Sequence, residues 1–89
     1  MSKSLNVLLT GGAGYIGSHT AVELLSAAHK VIVVDNLSNS SIKSIKRVER
    51  LTNKSIEFYE IDLLDAVNFE RVFAEHTIDA VVHFAGLKA

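Results

Sequence analysis

The chain has 89 residues, enough for one domain, and 48% of them are hydrophobic against 21% charged, a globular rather than a disordered balance. A net charge of −1 gives no electrostatic case for nucleic acid or an anionic membrane, and the absence of cysteine excludes disulfides, thiolate nucleophiles and cysteine-ligated metals. Met1–Leu5 has one lysine and no long apolar core, so it is not expected to act as a signal peptide. Apolar runs such as Val31–Val34 are far too short to span a bilayer, so a cytoplasmic location is expected by default.

Apolar runs alternate with helical periodicity along the chain. Asn6–Thr10 reads as a first strand around Val7, Leu8 and Leu9. Tyr15–Ala28 reads as a helix with Ile16, Ala21, Leu24 and Leu25 on one face. Lys30–Asp35 is a second strand. Ser41–Thr52 is a second helix, with Ile42, Ile45, Val48 and Leu51 on one side. Ile56–Ile61 is a third strand. Ala66–His76 is a third helix carrying Val67, Val72 and Phe73, with Asp65 as its N-cap. Asp79–Ala85 is a fourth strand. This βαβαβαβ order predicts a parallel sheet with right-handed crossovers. The expected strand order is 3-2-1-4, the incomplete front half of a doubly wound, Rossmann-like α/β fold. A strand at the sheet edge, four residues before Ala89, is bare on its outer side, so residues 1–89 read as the front part of a larger protein.

Between the first strand and the first helix lies Thr10-Gly11-Gly12-Ala13-Gly14-Tyr15-Ile16-Gly17. Gly11, Gly14 and Gly17 recur at three-residue spacing. In a strand–turn–helix the first glycine permits the tight turn, the second lets backbone approach a pyrophosphate, and the third lets the helix pack close to the strand. Unbonded N–H groups at the helix start then face the anion. Asp35 ends the next strand eighteen residues past Gly17, near the spacing of about 20 at which an acid accepts hydrogen bonds from the adenosine ribose. A carboxylate there repels a 2′-phosphate and favours NAD over NADP.

Three further places carry chemistry. Asp62 ends the third strand, where it either accepts from an adenine amino group or, with Asp65, starts the next helix. His83-Phe84-Ala85-Gly86-Leu87-Lys88-Ala89 puts small residues at the switch point of the sheet, where backbone can lie against a cofactor. Lys88 reaches a phosphate or ribose there, or is simply solvated. His19, His29, His76 and His83 lack metal-ligand spacing, so no metal site is expected.

Thr10-Gly11-Gly12-Ala13-Gly14-Tyr15-Ile16-Gly17-Ser18-His19 resembles the signature of the extended short-chain dehydrogenases/reductases. Asp35-Asn36-Leu37-Ser38-Asn39-Ser40 and the His83–Ala89 segment narrow the resemblance to the UDP-hexose 4-epimerase branch of that family, over Asn6 to Ala89. The resemblance implies tightly held NAD, with Gly11, Gly14 and Gly17 forming the pyrophosphate turn and Tyr15 and Ile16 lining it. It implies Asp35, Asn36, Leu37, Ser38, Asn39 and Ser40 at the adenine ribose, and Asp62 and Leu63 at adenine. Phe84, Ala85, Gly86, Leu87 and Lys88 would run beneath the nicotinamide half. It also implies a UDP-sugar substrate, oxidation at the sugar C4 through a 4-keto sugar, and a homodimeric parent.

Two features depart from that pattern. The family's catalytic tyrosine has lysine four residues later, whereas Tyr15 has His19 and Tyr59 has Leu63. No catalytic residue is therefore expected within this chain. Ala28 stands where the family usually has glycine after the first helix, at a cost of roughly 1 kcal/mol if that site needs positive φ. Two other readings stay open: the front of another nucleotide-sugar dehydratase or decarboxylase, and a non-catalytic dinucleotide-sensing module.

Overall fold

The computed structural model describes residues 4–11, 13–37, 41–62 and 64–84. Its elements are β1 (Asn6–Thr10), α1 (Tyr15–Ser26), β2 (Lys30–Asp35), α2 (Ile42–Thr52), β3 (Glu57–Glu60), α3 (Ala66–Glu75) and β4 (Ala80–His83). The four strands form one parallel sheet in the order β3-β2-β1-β4, the arrangement expected from the sequence. Helices cover both faces, so the central strands β1 and β2 are buried nearly throughout and read as continuous apolar runs. The flanking strands are only half-buried, and alternate residues of β4 are exposed.

One face packs Val7, Leu9, Val31 and Val33 against Ala21 and Leu25 of α1 and Ile45 and Val48 of α2. The other packs Leu8, Ile32 and Val34 against Val72 of α3, with Tyr59, Phe69 and Ile78 around them. The period-2 alternation of β1 sends its side chains to the two faces in turn. Register brings the C-terminal ends of the strands to one level: Thr10 lies opposite both Val34 and His83, and Asp35 opposite Glu60.

Helix ends follow local chemistry. α1 stops in a Schellman arrangement, with His29 N–H donating to Leu24 O at 3.0 Å and Ala28 N–H to Leu25 O at 3.0 Å. Ala28 carries the turn at φ 69°, so the alanine does sit where positive φ is required. The backbone then re-enters the sheet, where Leu5 N–H donates to His29 Nδ1 at 3.1 Å and Lys30 N–H to Leu5 O at 2.9 Å. Ser41 caps α2 by accepting from Lys43 N–H at 3.1 Å, and Asp65 caps α3 by accepting from Asn68 N–H at 3.3 Å. Asn53 ends α2 in the left-handed region at φ 55°, and Glu49 then accepts the N–H of Ile56 at 2.8 Å.

The helices are shorter than the sequence periodicity suggested. α1 ends at Ser26 rather than Ala28 because Ala28 turns left-handed; Ser41 is the cap of α2, not its first turn; and His76 lies just past α3. β3 and β4 are likewise trimmed to four residues each. The apolar stripes are also narrower. Ile16, Leu51 and Val67 are largely exposed, and Ile42 and Phe73 are partly so.

Candidate functional site

The C-terminal ends of β1 and β2 gather the residues singled out by motif. Gly11 leaves β1 at φ 76°, a conformation suited to glycine, and its N–H donates to Val34 O at 2.7 Å. That bond fixes the first corner of the turn to the neighbouring strand. Gly14 N–H then donates to Gly11 O at 3.3 Å, and Ser18 N–H to Gly14 O at 2.8 Å, which opens α1. Gly14 is the N-cap and offers no side chain to the helix start; the first turn contains no acid. The N–H groups of Tyr15, Ile16 and Gly17 have no acceptor among the described residues. Three donors and the positive end of a twelve-residue helix thus face one spot.

Among the described residues nothing in the fold requires glycine at position 14. A Cβ built there meets only Gly11 O, at 3.6 Å, an ordinary contact. Its φ of −76° suits any residue. The N–H groups of the first turn, unpaired among the described residues, are the kind of donors that suit an anion such as a pyrophosphate.

Asp35 ends β2 beside this turn and is 9% exposed. Its Oδ2 accepts the N–H of Ala13 at 3.0 Å, and its Oδ1 accepts the N–H of Leu37 at 2.8 Å. Leu37 follows at φ 60° and Asn36 is exposed. Asp62 lies just past β3, exposed, with Oδ1 accepting Leu64 N–H at 2.9 Å. Both roles considered for Asp62 use that position, and the bond to Leu64 serves the local turn. Phe84 follows β4, half-buried, and its N–H donates to Thr10 O at 2.7 Å. The turn, Asp35, Asn36, Leu37 and Phe84 are therefore brought to one edge of the sheet, with Asp62 at the same end. Ser38, Asn39, Ser40, Leu63, Ala85, Gly86, Leu87 and Lys88 lie outside the described residues.

Three participants escaped the sequence reading. Ala13 is buried, and its amide ties the glycine turn to Asp35. Thr10 is buried at 1% exposure and bonds His83 through its hydroxyl. A groove of about 610 Å³ runs from Gly14 and Tyr15 between α1 and α2, past Ser18, Ser44 and Arg47. Each depends on a pairing across twenty or more residues, or between two helices, that no local pattern marks. The histidines are dispersed. His29 caps Leu5, His76 bonds Tyr59, His83 bonds Thr10, and His19 is exposed on α1.

Comparison with known proteins bears on this geometry directly. Residues 7–89 match the model of the NAD dependent epimerase/dehydratase family. The chain is 59% identical over 83 residues to UDP-glucose 4-epimerase of Bacillus subtilis, covering 93% of this chain and 24% of that protein. It superposes on the crystal structure of UDP-glucose 4-epimerase from Bifidobacterium longum in complex with NAD+ and UDP. The TM-score is 0.92 at 54% identity, over 94% of this chain and 25% of that one. The enzyme of Stenotrophomonas maltophila, solved with NAD and formylated UDP-arabinopyranose, gives a TM-score of 0.90 at 47% identity over 96% of this chain and 25% of that one. The chain thus spans about a quarter of the length of the relatives it matches. With a glycine turn opening a helix, an acid closing the next strand and a family match across nearly its whole length, this chain belongs to the NAD dependent epimerase/dehydratase family.

Proposed function

We propose that residues 1–89 are the NAD-binding part of a UDP-hexose 4-epimerase, the enzyme that interconverts UDP-glucose and UDP-galactose. The observation that carries this reading is the open helix N-terminus at Gly14–Gly17 beside the Asp35 carboxylate. Relatives more than half identical to this chain include UDP-glucose 4-epimerases, one of them solved with NAD+ and UDP.

In this reading the N–H groups of Tyr15, Ile16 and Gly17 hold the pyrophosphate. Asp35, with Asn36 and the loop through Ser40, holds the adenosine ribose, and Asp62 with Leu63 holds adenine. The segment from Phe84 to Lys88 supports the nicotinamide half. NAD, when bound, supplies a hydride acceptor for the sugar C4 carbon that can return the hydride to the opposite face. What this chain's own residues do is bind and orient. The anion meets prepaid donors that need no rearrangement, and the Asp35 carboxylate disfavours a 2′-phosphate by charge. The chain contains no tyrosine followed by lysine four residues later, so proton removal from the sugar has no agent here.

Calorimetric titration tests the reading. The chain binds NAD and discriminates against NADP, and Asp35→Ala weakens NAD binding while narrowing that discrimination. Equal binding of NAD and NADP by the wild type, or an Asp35→Ala variant unchanged in both respects, would refute it.

A further inference from the structure

Asp35 does something that a ribose acceptor alone has no need to do. Each of its carboxylate oxygens takes a backbone N–H from a different loop: Oδ2 from Ala13 in the glycine turn at 3.0 Å, Oδ1 from Leu37 in the connection after β2 at 2.8 Å. The first spans 22 residues of sequence and is buried; the carboxylate is 9% exposed. Both loops contain strained or special backbone, Gly11 at φ 76° and Leu37 at φ 60°. Glycine adopts its conformation freely, but a free chain seldom holds leucine at φ 60°. The only backbone bond described between the glycine turn and β2 is Gly11 N–H to Val34 O, at the near corner. Ala13, at the far corner and one residue before the helix cap, is tied to β2 by the Asp35 side chain.

We infer that Asp35 is a positioning residue for the pyrophosphate turn, a latch that fixes Ala13 and hence the donors of Tyr15, Ile16 and Gly17. This rests on the NAD reading but assigns Asp35 a role separate from ribose contact. Charge-assisted bonds to backbone amides are among the stronger ones in proteins, so a carboxylate is well chosen for holding two loops at once. The consequence is specific. Removing the carboxylate weakens binding of the pyrophosphate even where no ribose hydroxyl is present to be recognised.

A cycle of two proteins and two ligands separates the roles. The proteins are wild type and Asp35→Asn, which keeps shape but replaces one acceptor oxygen by a donor. The ligands are NAD and an NAD analogue whose adenosine ribose lacks the 2′ and 3′ hydroxyls. The latch predicts that Asp35→Asn weakens binding of the analogue by about tenfold or more, the loss expected for a hydrogen bond to a charged group. A ribose-only role predicts that the loss vanishes with the analogue, and that outcome overturns the proposal. Amide exchange in the ligand-free wild type is the second measurement, and it does not depend on the variant folding. Ala13 N–H is protected if the latch holds; exchange as fast as an open loop sinks it. A wild type that binds neither ligand refutes the NAD reading alone, with the latch still decided by Ala13.

Discussion

Thr10 and His83 stand opposite each other in the β1–β4 ladder, and a hydrogen bond joins Thr10 Oγ1 to His83 Nδ1. Thr10 is 1% exposed, whereas His83 is open to solvent. The imidazole is the only described partner of the buried hydroxyl. The two ends of this bond are therefore unequal. His83→Ala strands a buried hydroxyl and lowers stability by roughly 1–3 kcal/mol. Thr10→Val removes that hydroxyl and leaves an imidazole that water can serve, with a change under about 1 kcal/mol. Urea denaturation midpoints of the two variants check the order; equal losses would contradict it.

Gly14→Ala separates fold from function. The added methyl meets only Gly11 O at 3.6 Å, and the backbone of residue 14 suits alanine. Stability is expected to fall by less than about 1 kcal/mol, the cost of a poorer N-cap. NAD affinity should fall at least about tenfold, since the methyl is added at the N-cap next to the free donors of the first turn. Thermal denaturation and calorimetry on the same sample measure both.

Ala28→Gly should stabilise the chain. Ala28 holds φ 69° at the end of α1, where an L side chain is strained and glycine is not. The strain relieved exceeds the extra entropy of glycine in the unfolded chain, for a net gain of about 0.5–1 kcal/mol. A urea midpoint that does not rise would contradict this.

Tyr59 predicts an alkaline limb. Its phenol bonds His76 Nε2 at 2.7 Å. Burial raises its pKa above the ordinary value of 10.0, and the Glu75 and Glu57 carboxylates add to the rise. An acid whose pKa is raised by folding keeps its proton longer in the folded state than in the unfolded one. The stabilisation is thus complete below about pH 10 and is lost as pH climbs through the folded value. Wild type should lose stability there more steeply than Tyr59→Phe. Chemical denaturation across that range, with phenolate absorbance as the titration readout, measures the difference.

The 89-residue chain should not epimerise UDP-galactose, because neither Tyr15 nor Tyr59 is followed by lysine at the fourth position. A coupled assay for UDP-glucose formation checks this, and turnover above background would contradict it.

The amino-acid sequence alone determined the element order, the parallel sheet and its 3-2-1-4 arrangement, because two-sided burial leaves unbroken apolar strands and short crossovers admit one handedness. It also determined the glycine turn and the acid eighteen residues on, since the positive φ of Gly11 is a local backbone requirement that the spacing of the motif marks. Ala28 drew notice only through the resemblance, as alanine where glycine is usual; that it turns left-handed and stops α1 at Ser26 came from the structure. The tertiary structure alone decided how these parts are held. Which apolar residues are core depended on how the helices pack, which leaves Ile16, Leu51 and Val67 largely exposed. The bonds from Asp35 to Ala13 and from Thr10 to His83 join residues 22 and 73 positions apart. Hydrogen bonds of that span leave no periodic trace, because they are set by strand register and the direction of one side chain rather than by any repeating pattern.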